Sequence, residues 1–180
     1  MGKDDLQEWN TALKTAYDNY YKSLFKIGKL PLRSTKLGFW GPAVHEELWD
    51  LFIGYLNLYS ARSFIDLGSG DGKVVLLASL FTDAHGIEGD EQLHSVAQKM
   101  AQHFKLPATF SCGDYMYHDL SKYDVIFLHP DKPNPALEKK LIKEMKGKLV
   151  VYGYEFHPTS LKQIRSFKVG GTPIGIYTKP

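Results

Sequence analysis

The sequence predicts an α/β protein: a doubly wound, mainly parallel seven-stranded sheet with an N-terminal helix and a C-terminal β-hairpin. Three observations carry this. Short apolar runs alternate with helical patterns through five strand–helix steps, the order that builds a parallel sheet covered on both faces. A glycine turn, Gly68-Ser69-Gly70-Asp71-Gly72, joins the first of these strands to a buried helix. The chain closes with two strand-like stretches joined by Gly170-Gly171, a hairpin signal.

Length and composition fit that class. The 180 residues suffice for one well-packed core. Hydrophobic residues make up 43% and charged residues 23%, the balance of a globular chain. A net charge of +2 gives no general pull toward nucleic acid, though a local patch stays open. The single cysteine, Cys112, rules out an internal disulfide framework or a cysteine zinc site and fits a reducing cytoplasmic setting. It is expected as buried packing. The stretch Met1-Gly-Lys-Asp-Asp lacks the apolar core of a signal peptide. No apolar run approaches the ~20 residues of a membrane span.

Residues 4–26 read as an amphipathic helix, with Leu6, Trp9, Leu13, Ala16, Tyr17, Tyr20 and Leu24 at three- and four-residue steps. Asp4 or Asp5 is placed to cap it, and Gly28 with Pro31 stops it. Residues 1–35 are expected as this helix and its connecting loop, and residues 36–180 as the ligand-binding domain. Residues 27–41 are irregular, and Phe39 and Trp40 stand in a glycine-flanked loop where Trp40 can wall a site. Pro42 fits the first turn of a helix running to about Tyr59, with Glu46 and Glu47 in its solvated first turn.

The first strand, Phe64-Ile65, runs into Asp66 and then the glycines at 68, 70 and 72. Glycine admits backbone conformations that a Cβ forbids and lets a ligand lie close. The helix beyond presents unpaired N–H groups. The dinucleotide fingerprint is G-x-G-x-x-G, and here Lys73 stands at its third glycine. Asp71 inside the loop also repels a pyrophosphate. A ligand with an ammonium and a sulfonium, and no phosphate, fits better.

The later strand ends add acids. Residues 83–90 form a second strand ending near Glu88, which lies 22 residues after Asp66. An acid there accepts hydrogen bonds from ribose hydroxyls in nucleoside-binding βαβ units. Asp90 and Glu91 suit helix caps, and His85 is structural. The helix 91–105 buries Leu93, Val96, Ala97, Met100 and Phe104. A third strand, 108–114, ends at Asp114, followed by Tyr115. A fourth, 122–131, has the apolar run Val125–Leu128 of a central parallel strand and delivers His129, Pro130, Asp131 and Lys132 to its end. The helix 134–146 buries Leu137, Leu141, Ile142 and Met145, with a lysine-rich outer face. The fifth strand, 148–154, opens into Glu155 and His157, and the hairpin strands are 163–169 and 173–178.

The loop Asp66–Gly72 with Glu88 and Asp114 resembles the cofactor motifs of class I S-adenosylmethionine-dependent methyltransferases. The resemblance implies a Rossmann-like methyltransferase fold in which Asp66, Gly68, Ser69, Gly70, Asp71, Gly72, Glu88, Asp114 and Tyr115 hold the cofactor, Asp114 and Tyr115 at the adenine. Together with Tyr123–Phe127, Leu137-Glu-Lys-Lys-Leu141 and the early hairpin finish, it extends over about 36–179. Over that span the chain is similar to a small lysine methyltransferase family that modifies the mitochondrial ATP synthase c-subunit and the adenine nucleotide translocase, with prokaryotic relatives. His129-Pro-Asp-Lys departs from that family's apolar segment, and the first helix lacks membrane-anchor character.

The activity implied is protein-lysine N-methylation, with no metal. His129 and Asp131 are the catalytic candidates, and Trp40, Glu155 and His157 line the acceptor side. RNA or small-molecule methylation, or silent cofactor binding, are the alternatives. An Asn-Pro-Pro-Tyr type of motif after the fourth strand is absent, which weighs against a nucleic-acid base.

Overall fold

The computed structural model describes residues 3–180. Helix α1 (Lys3–Lys26) is followed by two very short strands, β1 (Arg33–Ser34) and β2 (Phe39–Trp40), paired as an antiparallel hairpin. Then come α2 (His45–Asp50), β3 (Ser63–Leu67), α3 (Lys73–Ala78), β4 (Asp83–Glu88), α4 (Glu91–Phe104) and β5 (Thr109–Cys112). The chain ends with β6 (Val125–Leu128), α5 (Pro135–Glu144), β7 (Lys148–Tyr152), β8 (Lys162–Val169) and β9 (Thr172–Thr178). The seven-stranded sheet has the order β5-β4-β3-β6-β7-β9-β8. Its first five strands are parallel, and β9 runs antiparallel to both β7 and β8. The strand order reverses between β3 and β6, and clefts in such sheets open there, beyond the carboxyl ends.

The central strands are apolar throughout because both their faces are covered. Alternate residues go to opposite sides: Phe64, Val125, Phe127 and Val150 pack with α1, α2 and α3. Ile65, Ile126, Leu128 and Val151 pack with Leu137 and Leu141 of α5 and with Met145 just after it. Helix α3 is buried along its whole length, which explains its unbroken apolar sequence.

Several local expectations are corrected. The loop at 33–40 is a hairpin. Helix α2 begins at His45, and after Asp50 it widens into a single broad turn over Leu51–Tyr55, closed by Leu56 N–H donating to Leu51 O at 2.9 Å. Glu47 does not stand free in water: it accepts from Tyr152 Oη and from Gly171 N–H, pinning the β8–β9 turn to α2. Helix α1 is already formed at Lys3, so a cap at Asp4 or Asp5 does not start it; the Asp4 side chain lies outside the described residues. Cys112 is exposed because β5 is an edge strand. Ile142 turns outward on α5. Asp90 and Asn134 cap α4 and α5. No helix among the described residues is long and apolar enough to cross a membrane.

Helix α1 is fastened to the glycine turn by polar contacts as well as by Leu6, Leu13 and Tyr17. Tyr17 Oη donates to the Asp71 carbonyl at 2.9 Å, and Tyr21 Oη donates to Asp71 Oδ2 at 2.7 Å. Lys73, almost closed from solvent, donates to Ala43 O and lies 5.1 Å from the Tyr21 ring centroid. Burial pushes the Asp71 carboxyl up, against the pull of Lys73 and Tyr21. A buried acceptor that loses its donor costs about 1–3 kcal/mol. Tyr21→Phe is therefore expected to lower the unfolding free energy by about that amount, read as a lower denaturant midpoint at unchanged slope; an unmoved midpoint would mean that this bond contributes nothing to stability.

Candidate active site

A cavity of about 370 Å³ opens at the carboxyl ends of β3, β4, β5 and β6. Its floor is Leu67, Gly68, Glu88, Gly89 and Gly113; one wall is Tyr115, Leu128, His129 and Asp131; the other is the hairpin from Leu32 to Pro42. The volume falls within the ~300–1,000 Å³ of small-molecule sites.

The glycine turn is built by the sequence. Gly68, Gly70 and Gly72 have φ of +78°, +54° and +84°, values that disfavour any side chain. Gly70 is doubly constrained, since a Cβ there would collide with the Trp40 indole lying over it. Gly68 N–H and Ser69 N–H both donate to Ile87 O at 2.9 Å, and Gly72 N–H closes the turn onto Ser69 O. Ser69 packs its hydroxyl against Gly86, buried and unpartnered, and does not line the cavity.

Three carboxylates surround this turn, and they differ. Glu88 accepts from Gly70 N–H and from Asp90 N–H, each at 2.7 Å, and borders the cavity. Burial raises its pKa, and the two N–H groups oppose the shift. Asp66, in β3 two residues before Gly68, is 3% exposed and does not border the cavity, and no donor reaches its carboxylate among the described residues. Burial raises its pKa well above the ordinary value, and the charges of Glu88 and Asp71 add to that. Asp71 faces the other way, toward Tyr21 and Lys73. The loop residue expected at the cofactor is thus turned to α1, because its alternative partners there are two tyrosines and a buried lysine.

Of the remaining residues expected here, Tyr115 lines the cavity and receives a bond from Asn134 Nδ2 at 3.2 Å. Asp114 sits beside it, capping the short turn Tyr115–Tyr117 through Met116 N–H. His129 opens onto the cavity with Tyr152 edge-on at 4.9 Å. The cavity walls desolvate it and lower its pKa, and Lys73 lowers it further, against Asp131. Asp131 also borders the cavity, but its Oδ2 accepts Phe39 N–H at 2.7 Å and so holds the hairpin. Glu155 and His157 are not brought in. Phe156 and Pro158 turn inward to the core, which leaves Glu155 and His157 outward and exposed. The partners of Tyr17, Tyr21 and Lys73 have no signature in the chain's spacing, since they meet the turn only through tertiary packing.

A parallel sheet of this order, with a glycine turn at the switch point and an acid at the end of the next strand, defines the class I methyltransferases. The family described as histone methylation protein DOT1 matches residues 40–166, and the chain belongs to that family. Fold and family together make it an S-adenosylmethionine-dependent methyltransferase. Among solved structures it is similar to an RNA methyltransferase from Salinibacter ruber in complex with S-adenosyl-L-homocysteine. That match has 23% identity and a TM-score of 0.65, over 77% of this chain and 94% of that one. It is also similar to magnesium protoporphyrin IX methyltransferase from Synechocystis PCC 6803 with bound S-adenosylmethionine, at 15% identity and a TM-score of 0.59, over 76% and 80%. These likenesses are of fold. No curated protein matches the sequence.

The residues present fit such a cofactor: the nearly buried Asp66 carboxylate lacks a donor, and an ammonium supplies one. Two expectations follow. Glu88→Ala should weaken cofactor binding at least tenfold in calorimetry, since a charge-assisted bond is worth about 1.5–3 kcal/mol. It should also lower the melting temperature, because Gly70 N–H and Asp90 N–H lose their buried acceptor. The second concerns pH. A raised carboxyl pKa means that the folded state binds more protons than the unfolded one, so ligand-free stability falls as pH climbs from the ordinary 3.8 through the raised value. A cationic ligand favours the ionised form. Cofactor affinity should therefore rise with pH across that window, with proton release on binding; affinity flat across it would count against Asp66 as the ammonium partner.

Proposed function

We propose that the protein transfers a methyl group from S-adenosylmethionine to the amine of a protein lysine. The observation that carries this is the position of His129: at the end of β6 and open to the cavity, where desolvation lowers its pKa from the ordinary 6.5. The cofactor, when bound, supplies a methyl activated on a sulfonium. The protein has to orient the acceptor, keep water away and deal with a proton. A lysine ammonium has a pKa of ~10.4 and is not a nucleophile until deprotonated. An imidazole at the acceptor end can accept a hydrogen bond from the free amine, once its proton has gone to solvent, and orient it.

In this reading Glu88 accepts from the ribose, Asp66 faces the ammonium, and the backbone of Gly68, Gly70 and Gly72 leaves room for the methionine part. Asp114 and Tyr115 flank the adenine. Trp40 covers the turn, and Asp71 positions it through α1. Asp131 holds the hairpin over the acceptor end. The family's description names a histone, a protein acceptor, and the similarity to small lysine methyltransferases points the same way.

Labelled cofactor, the protein and a whole lysate test the class of acceptor. Label in the protein fraction, on lysine after hydrolysis, is expected; label confined to RNA or to small molecules overturns the lysine reading. With a substrate in hand, His129→Ala should lower kcat by a factor of ~10²–10⁴ and leave cofactor affinity unchanged. Asp131→Asn keeps an oxygen for Phe39 N–H and should retain most of the activity, whereas Asp131→Ala should lose it. Equal losses in both would assign Asp131 to the chemistry instead.

A further inference from the structure

The connector that frames the cavity mouth carries more exposed hydrocarbon than the site needs. Phe25, Ile27 and Leu30 are 54%, 65% and 63% exposed, and Leu32, Leu37 and Phe39 are exposed as well. The last three border the cavity, so a bound ligand can cover them. The first three do not border it. They stand on a compact turn in which Ile27 N–H and Lys29 N–H both donate to Leu24 O and Gly28 takes φ +71°. Isolated exposed apolar residues are ordinary; several on one short connector mark a contact surface.

The charge on this stretch is one-sided. From Asn19 to His45 there is no acid, while Lys22, Lys26, Lys29, Arg33 and Lys36 are all cationic. Arg33 is taken up by Asp90 and Gln92. Lys22, Lys26, Lys29 and Lys36 make no ion pair or side-chain hydrogen bond among the described residues. Directional groups are few, and two are spent internally: Ser23 Oγ donates to Tyr20 O, and Thr35 Oγ1 donates to Gly38 O. What remains offered to a partner is hydrocarbon and unpaired ammonium.

We propose that this connector docks the protein on an anionic lipid bilayer. Apolar side chains entering the headgroup–acyl boundary, with lysines meeting anionic headgroups, is how a surface element binds a membrane without crossing it. A protein partner fits less well, because lysine is depleted from protein–protein interfaces and these cations are lysines. The docking face and the cavity share Leu32, Leu37 and Phe39, so docking sets the mouth of the cavity against the bilayer surface. The inference does not rest on the methyl acceptor.

Sedimentation of the full chain with vesicles tests it. Binding is expected to an equal mixture of phosphatidylcholine and phosphatidylserine, far more weakly to phosphatidylcholine alone, and with a loss at high salt. Each cation removed should cost about fivefold in partitioning. The Lys26→Glu, Lys29→Glu double variant should therefore lose at least tenfold, and the Ile27→Ser, Leu30→Ser double variant should lose binding that salt does not affect. None of these four residues borders the cavity or the core, and melting temperatures of both variants should match the wild type. No sedimentation with the mixed vesicles, equal sedimentation with both kinds, or full binding by both variants overturns the proposal.

Discussion

The hydrogen bond from Gly70 N–H to Glu88 Oε2, 2.7 Å long, ties the glycine turn to the end of the neighbouring strand. Much else depends on it. The turn feeds α3, whose first residue is the buried Lys73; it carries Gly70, on which Trp40 rests; and it sets the floor of the cavity. Yet the bond places one carboxylate beside two others in a poorly solvated region, where like charges raise one another's pKa. The fold answers each acid differently. Asp71 receives a tyrosine hydroxyl and a nearby lysine, and Glu88 receives two backbone N–H groups. Asp66 receives no donor from the described residues. Two of the acids are thus satisfied by the fold and the third is left buried without a donor, an electrostatic setting that disfavours a phosphate.

The sheet was legible because its physics is local. Strands buried on both faces need continuous apolar runs, and Phe64-Ile65 and Val125–Leu128 have them. Glu88 was legible from spacing alone, since a βαβ unit fixes where the next strand ends. Asp90 stood at a helix cap for a similarly local reason. Each of these features is written in residues close together in the chain.

What the sequence did not disclose is tertiary. Tyr21 and Asp71 are 50 residues apart, and Phe39 and Asp131 are 92 apart; no periodicity links them. Asp131 borders the cavity as a group facing the acceptor would, but its backbone partner from the hairpin has no counterpart in the sequence pattern. Glu155 and His157 follow a strand that does end at the cavity side, but the alternation set by Phe156 and Pro158 turns them out. Cys112 and Ile142 have apolar character yet lie outward, because an edge strand and the flank of a helix have no second layer over them.

The hairpin β1–β2 is the element that joins the two ends of the site. Asp131 holds the backbone of Phe39 from the β6 side, and the next residue, Trp40, rests on Gly70 at the β3 side. Arg33, paired in register with Trp40, reaches Asp90 beyond β4. Three strand ends are thus bridged by eight residues, and the boundary expected between 35 and 36 falls within the hairpin's own turn. Helix α1 then secures the other side of the same glycine turn through Tyr17 and Tyr21. The N-terminal segment is therefore a wall and a brace of the site, and whatever moves the hairpin moves the cover of the cofactor turn together with the approach to His129.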